Sequence, residues 1–212
     1  MSDAKNTRQA LEALLGQRNE HPERLAEIDR EIWETFGETH ALWVLDMCGF
    51  SRLTMRYGIT HFLAMIHRLH GIVRPIVVRH GGRVVKTEAD NVFAVFPTVS
   101  AAVAAARDVQ DQLATANVFL PDDWDLHASI GVGFGEVLMV EDDDFYGNEL
   151  NLASKLGEDV AESGETLLTQ AAHAQLIAEG SAPDAASGVA FTAREIIVSK
   201  MTLTAYAMPT QR

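Results

Sequence analysis

The chain has 212 residues, 47% of them apolar, and its mean hydropathy is 0.00. These values are typical of one globular domain with some additional sequence, and they exclude an intrinsically disordered chain. Its 17 Lys and Arg against 30 Asp and Glu give a net charge of −13, which excludes a basic nucleic-acid or anionic-membrane surface. A phosphate ligand remains compatible with this charge if divalent metal supplies positive charge locally.

Targeting and cysteine chemistry are equally restricted. No window approaches the roughly 20 apolar residues that cross a bilayer, and the first residues lack the apolar core of a signal peptide. We therefore expect a cytoplasmic protein without a membrane partner. The single cysteine, Cys48, excludes an internal disulfide and a zinc site of several cysteines.

Residues 1–37 are predicted to form two short amphipathic helices. Apolar residues recur there at helical spacing: Leu11, Leu14 and Leu15, then Leu25, Ile28, Ile32 and Phe36. We interpret this N-terminal helical extension as packed on the domain or on a partner chain, with Trp33 either in the core or in a dimer contact.

Residues 38–116 alternate between strand and helix patterns. The apolar run 41–45 predicts a strand buried on both faces, and residues 60–80 predict a helix with a kink or break at Pro75. Residues 83–87 and 92–96 predict two strands joined by a hairpin over 88–91. Ser100 is the expected cap of an alanine-rich helix that ends near residue 116.

The remaining sequence continues the mixed pattern. We expect strands at 126–132 and 137–140 around a glycine-rich bend, helices at about 147–161 and 170–178, a loop at 181–188, and strands near 189–198 and 202–208. The fold class is therefore α+β, with a ferredoxin-like βαββαβ core and extra C-terminal strands. We divide the chain into an N-terminal helical extension, 1–37, and one main domain, 38–212.

Three polar segments are candidates for chemistry. Asp46 ends the strand 41–45 and precedes a glycine turn and a helix start, which suits a carboxylate that holds Mg²⁺ beside phosphate-binding amides. Asp90 lies at the hairpin tip, where it can approach a neighbouring strand end as in a two-metal site. Asn151 and Lys155 share a helix face. Taken singly, the aspartates suit ordinary turns and the Asn–Lys pair suits a solvated helix face.

Together these segments resemble the class III adenylate and guanylate cyclases. LDMCGFSRLT is similar to the family's first metal-aspartate motif, and KTEADNVFAVF to its second, which usually reads Lys-x-x-Gly-Asp. DFYGNELNLASKL resembles the family segment Asp-x-Tyr-Gly-x-x-Val-Asn-x-Ala-x-Arg-Leu. The likeness covers roughly residues 40–208, and three motifs in order are more specific than any one of them.

The resemblance implies a function and a set of roles. The protein would convert ATP or another nucleoside triphosphate into its 3′,5′-cyclic monophosphate, with two Mg²⁺ or Mn²⁺ ions per active site. It would act as a homodimer with two composite sites, because the metal-binding and base-reading residues of one site come from different chains. The implied positions are Asp46 and Asp90 for metal, Lys86 and Asp144 for the base, Asn151 for the ribose, Lys155 for transition-state charge, and Met47, Cys48, Gly49, Phe50 and Ser51 for the phosphate-binding loop.

The base-reading pair predicts which nucleotides fit. A Lys donor and an Asp acceptor match the ring acceptor and exocyclic amine of adenine, whereas guanine reverses this polarity. Cytosine presents the same order as adenine, so hydrogen-bond polarity leaves ATP and CTP open as substrates.

Two departures from the family pattern favour a rival interpretation. Ala89 stands where the family usually has Gly, and an alanine is strained if the backbone there needs positive φ. Lys155 stands where the family has Arg, and lysine lacks the planar two-pronged donor geometry. The rival is a catalytically impaired, cyclase-like dimerisation or nucleotide-binding module.

Overall fold

The computed structural model describes residues 6–121, 124–180, 191–198 and 201–209; within these ranges, the side chains of residues 50–53, 198 and 201 are not described. The predicted loop at 181–188 lies outside the described residues. The helices are α1 (Arg8–Glu20), α2 (Leu25–Phe36), α3 (Phe50–Tyr57), α4 (Ile59–Arg79), α5 (Val99–Asn117), α6 (Asn148–Lys155) and α7 (Gln170–Ala178). The strands are β1 (Gly37–Met47), β2 (Arg83–Glu88), β3 (Asn91–Phe96), β4 (Ala128–Val140), β5 (Asp144–Tyr146), β6 (Thr166–Leu168), β7 (Thr192–Val198) and β8 (Met201–Ala207). Short 3₁₀ and π-helical segments, Pro22–Arg24 and Leu156–Val160, follow α1 and α6.

One mixed sheet organises the chain. Its strand order is β2-β3-β1-β4-β6-β8-β7, with β5 paired to β4, and all pairs are antiparallel except β4 with β6. The first four strands with α4 and α5 form the βαββαβ unit, and the later strands extend the sheet. The predicted α+β, ferredoxin-like fold with extra C-terminal strands is confirmed.

The two faces of β1 point into different cores. Trp43 and Leu45 pack in the core that contains α4 and α5, whereas Leu42 and Val44 pack in a second core with Leu150 of α6. Because strand side chains alternate between faces, Asp46 follows Leu42 and Val44 onto the α6 side of the sheet. The prediction of a strand buried on both faces is confirmed, and the strand is longer than predicted.

The N-terminal helices pack on the domain. Their apolar residues form a cluster with Val140 of β4; its helical members are Leu11, Leu14, Ile28, Ile32 and Phe36. Trp33 is 44% exposed, so it is not a core residue. Within the described residues, no helix is both long and apolar enough to cross a membrane.

A kink or break was predicted at Pro75. Helix α4 is not broken there, and buried Val73 and Ile76 pack in the core on both sides of the proline. The predicted cap of α5 is wrong. Thr98, not Ser100, caps α5: its hydroxyl accepts from the Ala101 amide at 3.1 Å. The Ser100 hydroxyl instead donates to Glu179.

The glycine-rich segment of β4 is not the predicted bend. Strand β4 is continuous, and its glycines make room for α6. A Cβ at Gly131 would lie 1.9 Å from the Ala153 carbonyl oxygen, and one at Gly133 would lie 3.0 Å from the Glu149 carbonyl oxygen. Glycine is therefore used here for close approach of a helix, which seats α6 directly on the sheet.

Candidate active site

Asp46 lies at the end of β1. It pairs in register with Ser129 of β4, and its side chain is half-buried. The chain then turns through Gly49, whose φ of 94° is left-handed, and enters α3 without a side-chain cap. The segment LDMCGFSRLT therefore has the predicted order of strand, glycine turn and helix.

The predicted phosphate-binding loop, residues 47–51, is only partly available to a ligand. The Met47 side chain is 1% exposed and packs in the core, and the Cys48 amide donates to the His127 carbonyl at 2.8 Å. The assignment of Met47 and Cys48 to a phosphate-binding loop stays a prediction, with the Met47 side chain and the Cys48 amide already engaged within the chain. The side chains of Phe50 and Ser51 lie outside the described residues, which leaves the backbone after Gly49 as the remaining candidate.

Asp90 lies at the tip of the β2–β3 hairpin. The preceding residue, Ala89, has a φ of 51°, so an alanine occupies the left-handed region in which glycine is favoured. Asp90 is half-buried, and burial raises the pKa of its carboxyl group. The hairpin and the strain at its tip agree with the sequence prediction.

The two aspartates approach each other in a negative environment. Burial raises the pKa of Asp46 to about 7, and the charges of Asp90, Glu158 and Asp159 contribute in the same direction. Among the described residues, no group of three or more His, Cys, Asp or Glu side chains is arranged to hold a metal ion. The metal candidates are thus a pair of carboxylates whose charged forms disfavour each other.

Glu158 and Asp159 are two further acidic residues near Asp46, and they were not among the predicted site residues. Both are exposed residues of the π-helical segment after α6, and Asn91 donates to Glu158 at 3.1 Å from the hairpin. The sequence does show two adjacent acidic residues just after the segment DFYGNELNLASKL. What the sequence does not show is that Gly157 packs on the Val44 carbonyl, which brings this segment beside Asp46.

Lys86 and Asp144 form the second pair of the site. Lys86 Nζ lies 2.9 Å from Asp144 Oδ1 and 2.7 Å from Glu88 Oε1, and it sits 5.1 Å from the centre of the Phe93 ring. Burial tends to raise the pKa of Asp144, but hydrogen bonds from Tyr146 and Lys86 lower it below its usual value. The predicted base-reading residues are therefore neighbours in one chain, with Lys86 on β2 and Asp144 on β5. Strand β5 was not predicted from the sequence.

Helix α6 presents the remaining predicted residues. Asn151 and Lys155 both lie on its exposed side, as their spacing predicted. Lys155 Nζ is 2.6 Å from Asp159 Oδ2, an exposed pair four residues apart. Of the hydrogen bonds and ion pairs described, none connects these two residues to Asp46, Asp90, Lys86 or Asp144.

No protein-family model matches the chain. In sequence, it is 32% identical over 133 residues to the putative adenylate cyclase 3 of Rhizobium meliloti (strain 1021), which covers 63% of this chain and 22% of that protein. It is 29% identical over 126 residues to the serine/threonine-protein kinase pkn2 of Myxococcus xanthus, 59% of this chain and 15% of the kinase. The chain thus matches only a minor part of these curated relatives.

Solved structures give a more extensive match. An adenylate/guanylate cyclase/hydrolase from Silicibacter pomeroyi has a TM-score of 0.67 and 24% identity, covering 82% of this chain and 98% of that one. An adenylate cyclase from Trypanosoma brucei in its monomeric state has a TM-score of 0.65 and 18% identity, covering 80% and 89%. The chain has the fold of the class III nucleotide cyclase catalytic domain, and the resemblance predicted from its three motifs is confirmed.

Proposed function

We propose that this chain is a nucleotide cyclase that converts ATP into 3′,5′-cyclic AMP and pyrophosphate. The observation that carries the proposal is the register of Leu45 with Val92, which places Asp46 at the end of β1 beside the hairpin tip that contains Asp90. Burial and the charge of Asp90 together raise the pKa of Asp46 to about 7. A structural ion pair would have a cationic partner there, whereas two half-buried carboxylates fit a divalent cation. The activity is also that of the cyclases which the chain resembles.

Asp46 and Asp90 would hold two Mg²⁺ or Mn²⁺ ions. When bound, these ions supply the positive charge that activates the ribose 3′-hydroxyl and neutralises the triphosphate. The new bond joins the 3′-oxygen to the α-phosphorus, and the bond from that phosphorus to the pyrophosphate oxygen breaks. The carboxylates act by fixing where this charge lies, and the amides after Gly49 can face the phosphate oxygens.

Lys86 and Asp144 would select the base. Lys86 donates and Asp144 accepts, a polarity that suits the adenine ring nitrogen and exocyclic amine and opposes the guanine carbonyl and N–H. The short distance between the two side chains, 2.9 Å, supports their joint action on one base edge. CTP is the second candidate, since cytosine presents the same donor and acceptor order.

A homodimer with two composite sites would complete the machinery. Asn151 orients the ribose and Lys155 stabilises the developing charge in the partner's site, which suits their exposed positions on α6. A weakly active or inactive module is the alternative from another class. The ion pair of Lys155 with Asp159 and the left-handed φ of Ala89 favour that alternative.

Turnover with single nucleotides tests the proposal. ATP, CTP, GTP and UTP are each incubated with Mg²⁺ and with Mn²⁺, and products are identified by chromatography against cyclic standards. Cyclic AMP from ATP alone is the expected result. Cyclic CMP from CTP alone would show that CTP is the substrate and would leave the proposed cyclisation reaction unchanged. Absence of every cyclic product, with protein shown to be folded and dimeric, would contradict the enzyme assignment.

A further inference from the structure

The acceptor capacity of Asp144 is fully used within the chain. Oδ1 accepts from Lys86 Nζ and from the Phe145 amide, each at 2.9 Å. Oδ2 accepts from the Tyr146 hydroxyl at 2.6 Å and from Arg8 Nη2 at 3.3 Å. A carboxylate offers about four lone-pair positions, so these four donors saturate it. An exocyclic amine can therefore bind Asp144 only if one donor leaves.

Arg8 is the donor that can leave at the smallest cost. The Phe145 amide is adjacent in the chain, Tyr146 is two residues away on the same short strand, and Lys86 is held by Phe93 and Glu88 as well. Arg8 comes from α1, makes the longest of the four contacts, and has a side chain that is 43% exposed. The Asp144 side chain is 16% exposed, so the pair is open to water at its Arg8 end, and Arg8 Nη1 makes one further, long contact of 3.4 Å to the Tyr146 hydroxyl. Ion pairs that are open to water at one end are weaker than fully buried ones.

The N-terminal segment also forms hydrogen bonds with the β4–β5 turn, which leads into Asp144. The Glu141 amide donates to the Asn6 carbonyl at 3.0 Å, and Asn6 Nδ2 donates to the Met139 carbonyl at 3.3 Å. Arg8 Nη2 additionally lies 3.5 Å from Asp143. Because the segment before α1 and the first residue of α1 hold the β4–β5 turn, a change at Asp144 is transmitted to the start of that helix.

We propose that Arg8 competes with the nucleotide base for Oδ2 of Asp144, so that α1 weakens nucleotide binding until Arg8 is displaced. The inference rests on the proposed function, because it takes Asp144 as the base acceptor. Coupling between two binding events is reciprocal. Arg8 therefore lowers the affinity for the base, and a bound base releases Arg8 and loosens the start of α1.

The first test is the kinetics of Arg8→Gln, which removes the charge and keeps most of the side-chain length. Its KM for ATP is expected to fall about two- to five-fold, the range of a weak exposed ion pair, with little change in kcat. Arg18→Gln is the matched control, since it breaks the exposed pair with Asp29 between α1 and α2 and touches no site residue. A KM that is unchanged or higher in Arg8→Gln would overturn the competition.

The second test does not depend on turnover. Amide hydrogen exchange of residues 6–20 is measured with 3′-deoxy-ATP, which has the base but no 3′-hydroxyl, and with inorganic tripolyphosphate, which has no base. Faster exchange with 3′-deoxy-ATP alone supports the displacement of Arg8. Equal exchange with both ligands, at saturation shown by calorimetry, contradicts it. An inactive wild type with this base-dependent exchange would refute the cyclase activity but leave the contact with the base standing.

Discussion

The two charged pairs of the candidate active site differ in how completely the chain satisfies them. Lys86 and Asp144 have opposite charges, and Asp144 has a donor for every acceptor position. Asp46 and Asp90 have the same charge, and each is half-buried with a raised pKa. The Lys86–Asp144 pair is therefore complete without a ligand, whereas the charged form of the carboxylate pair is unfavourable without a neighbouring cation.

This difference separates two ways of preparing a site. A satisfied pair stabilises the fold and must give up a bond when a ligand binds, so its selectivity includes a competition with the protein's own groups. An unsatisfied pair destabilises the fold and regains that free energy on binding, which favours the cation. Substitutions at the two pairs should accordingly have opposite effects on stability.

The largest effect is expected at the carboxylate pair. Asp46→Asn and Asp90→Asn should each abolish turnover, because the remaining carboxylate cannot hold two ions. Each should also raise the melting temperature of the metal-free protein at pH 8 in a chelator, since the substitution removes the cost of burying one charge and the repulsion between the two. The assay is product formation, together with thermal unfolding followed by circular dichroism.

Asp108→Asn provides the matched control for these variants. Asp108 is paired with Arg79 and His80, and hydrogen bonds from His80 and Arg79 lower the pKa of its carboxyl group. Loss of this favourable charge should leave the melting temperature unchanged or lower it. Full activity in Asp46→Asn or Asp90→Asn would refute the metal assignment, and lower metal-free stability in both would refute the repulsion.

A smaller effect is expected at the Lys86–Asp144 pair. Asp144→Asn replaces an acceptor-only group by an amide and leaves Lys86 with one carboxylate, Glu88. A hydrogen bond to a charged group contributes about 1.5–3 kcal/mol, so loss of the carboxylate as acceptor for the base should lower kcat/KM for ATP about 10- to 100-fold. Discrimination against GTP should fall as well, because an amide can donate to the guanine carbonyl. Steady-state kinetics with both nucleotides measure this, and an unchanged ATP/GTP ratio would argue against base reading by Asp144.

Lys155→Arg should change the rate by less. If residue 155 stabilises transition-state charge, the planar guanidinium should raise kcat about tenfold, a part of the 10²–10³ that one such interaction typically contributes. Stability should not change, since arginine can keep the exposed pair with Asp159. The measurement is kcat with ATP at saturating metal, and an unchanged or lower value would count against this position.

The sequence predicted the parts of the site that local patterns encode. Asp46 follows a recognisable buried strand, and Asp90 lies in a recognisable hairpin, so both were placed correctly on their elements. The features that depend on distant segments were not predictable in this way. The contact of Arg8 with Asp144 joins residues 136 positions apart, and no periodicity in either segment indicates the other.

Glycine shows the same limit. In β4 the glycines suggested a bend because glycine favours turns, but their role is to admit α6 against the sheet. That role depends on which helix covers the strand, and therefore on the tertiary fold. At Ala89, by contrast, the sequence prediction was correct. The resembled family usually has glycine at this position, which indicated a positive φ, and the φ of Ala89 is positive.

The smallest expected effect is a change in stability at the tip of the β2–β3 hairpin, next to Asp90. Ala89→Gly should stabilise the protein by about 1 kcal/mol, because a left-handed alanine costs about 1–2 kcal/mol and the greater freedom of glycine in the unfolded chain offsets part of this. For a chain of this size the melting temperature should rise by about 2–4 °C. Gly81→Ala is the reciprocal control, since Gly81 has a φ of 74° and open space where the alanine methyl group would lie, so only the backbone cost should appear, with the opposite sign. If Ala89→Gly destabilises while Gly81→Ala behaves as expected, the hairpin tip does not hold Ala89 in the left-handed region, and the placement of Asp90 beside Asp46 loses its support.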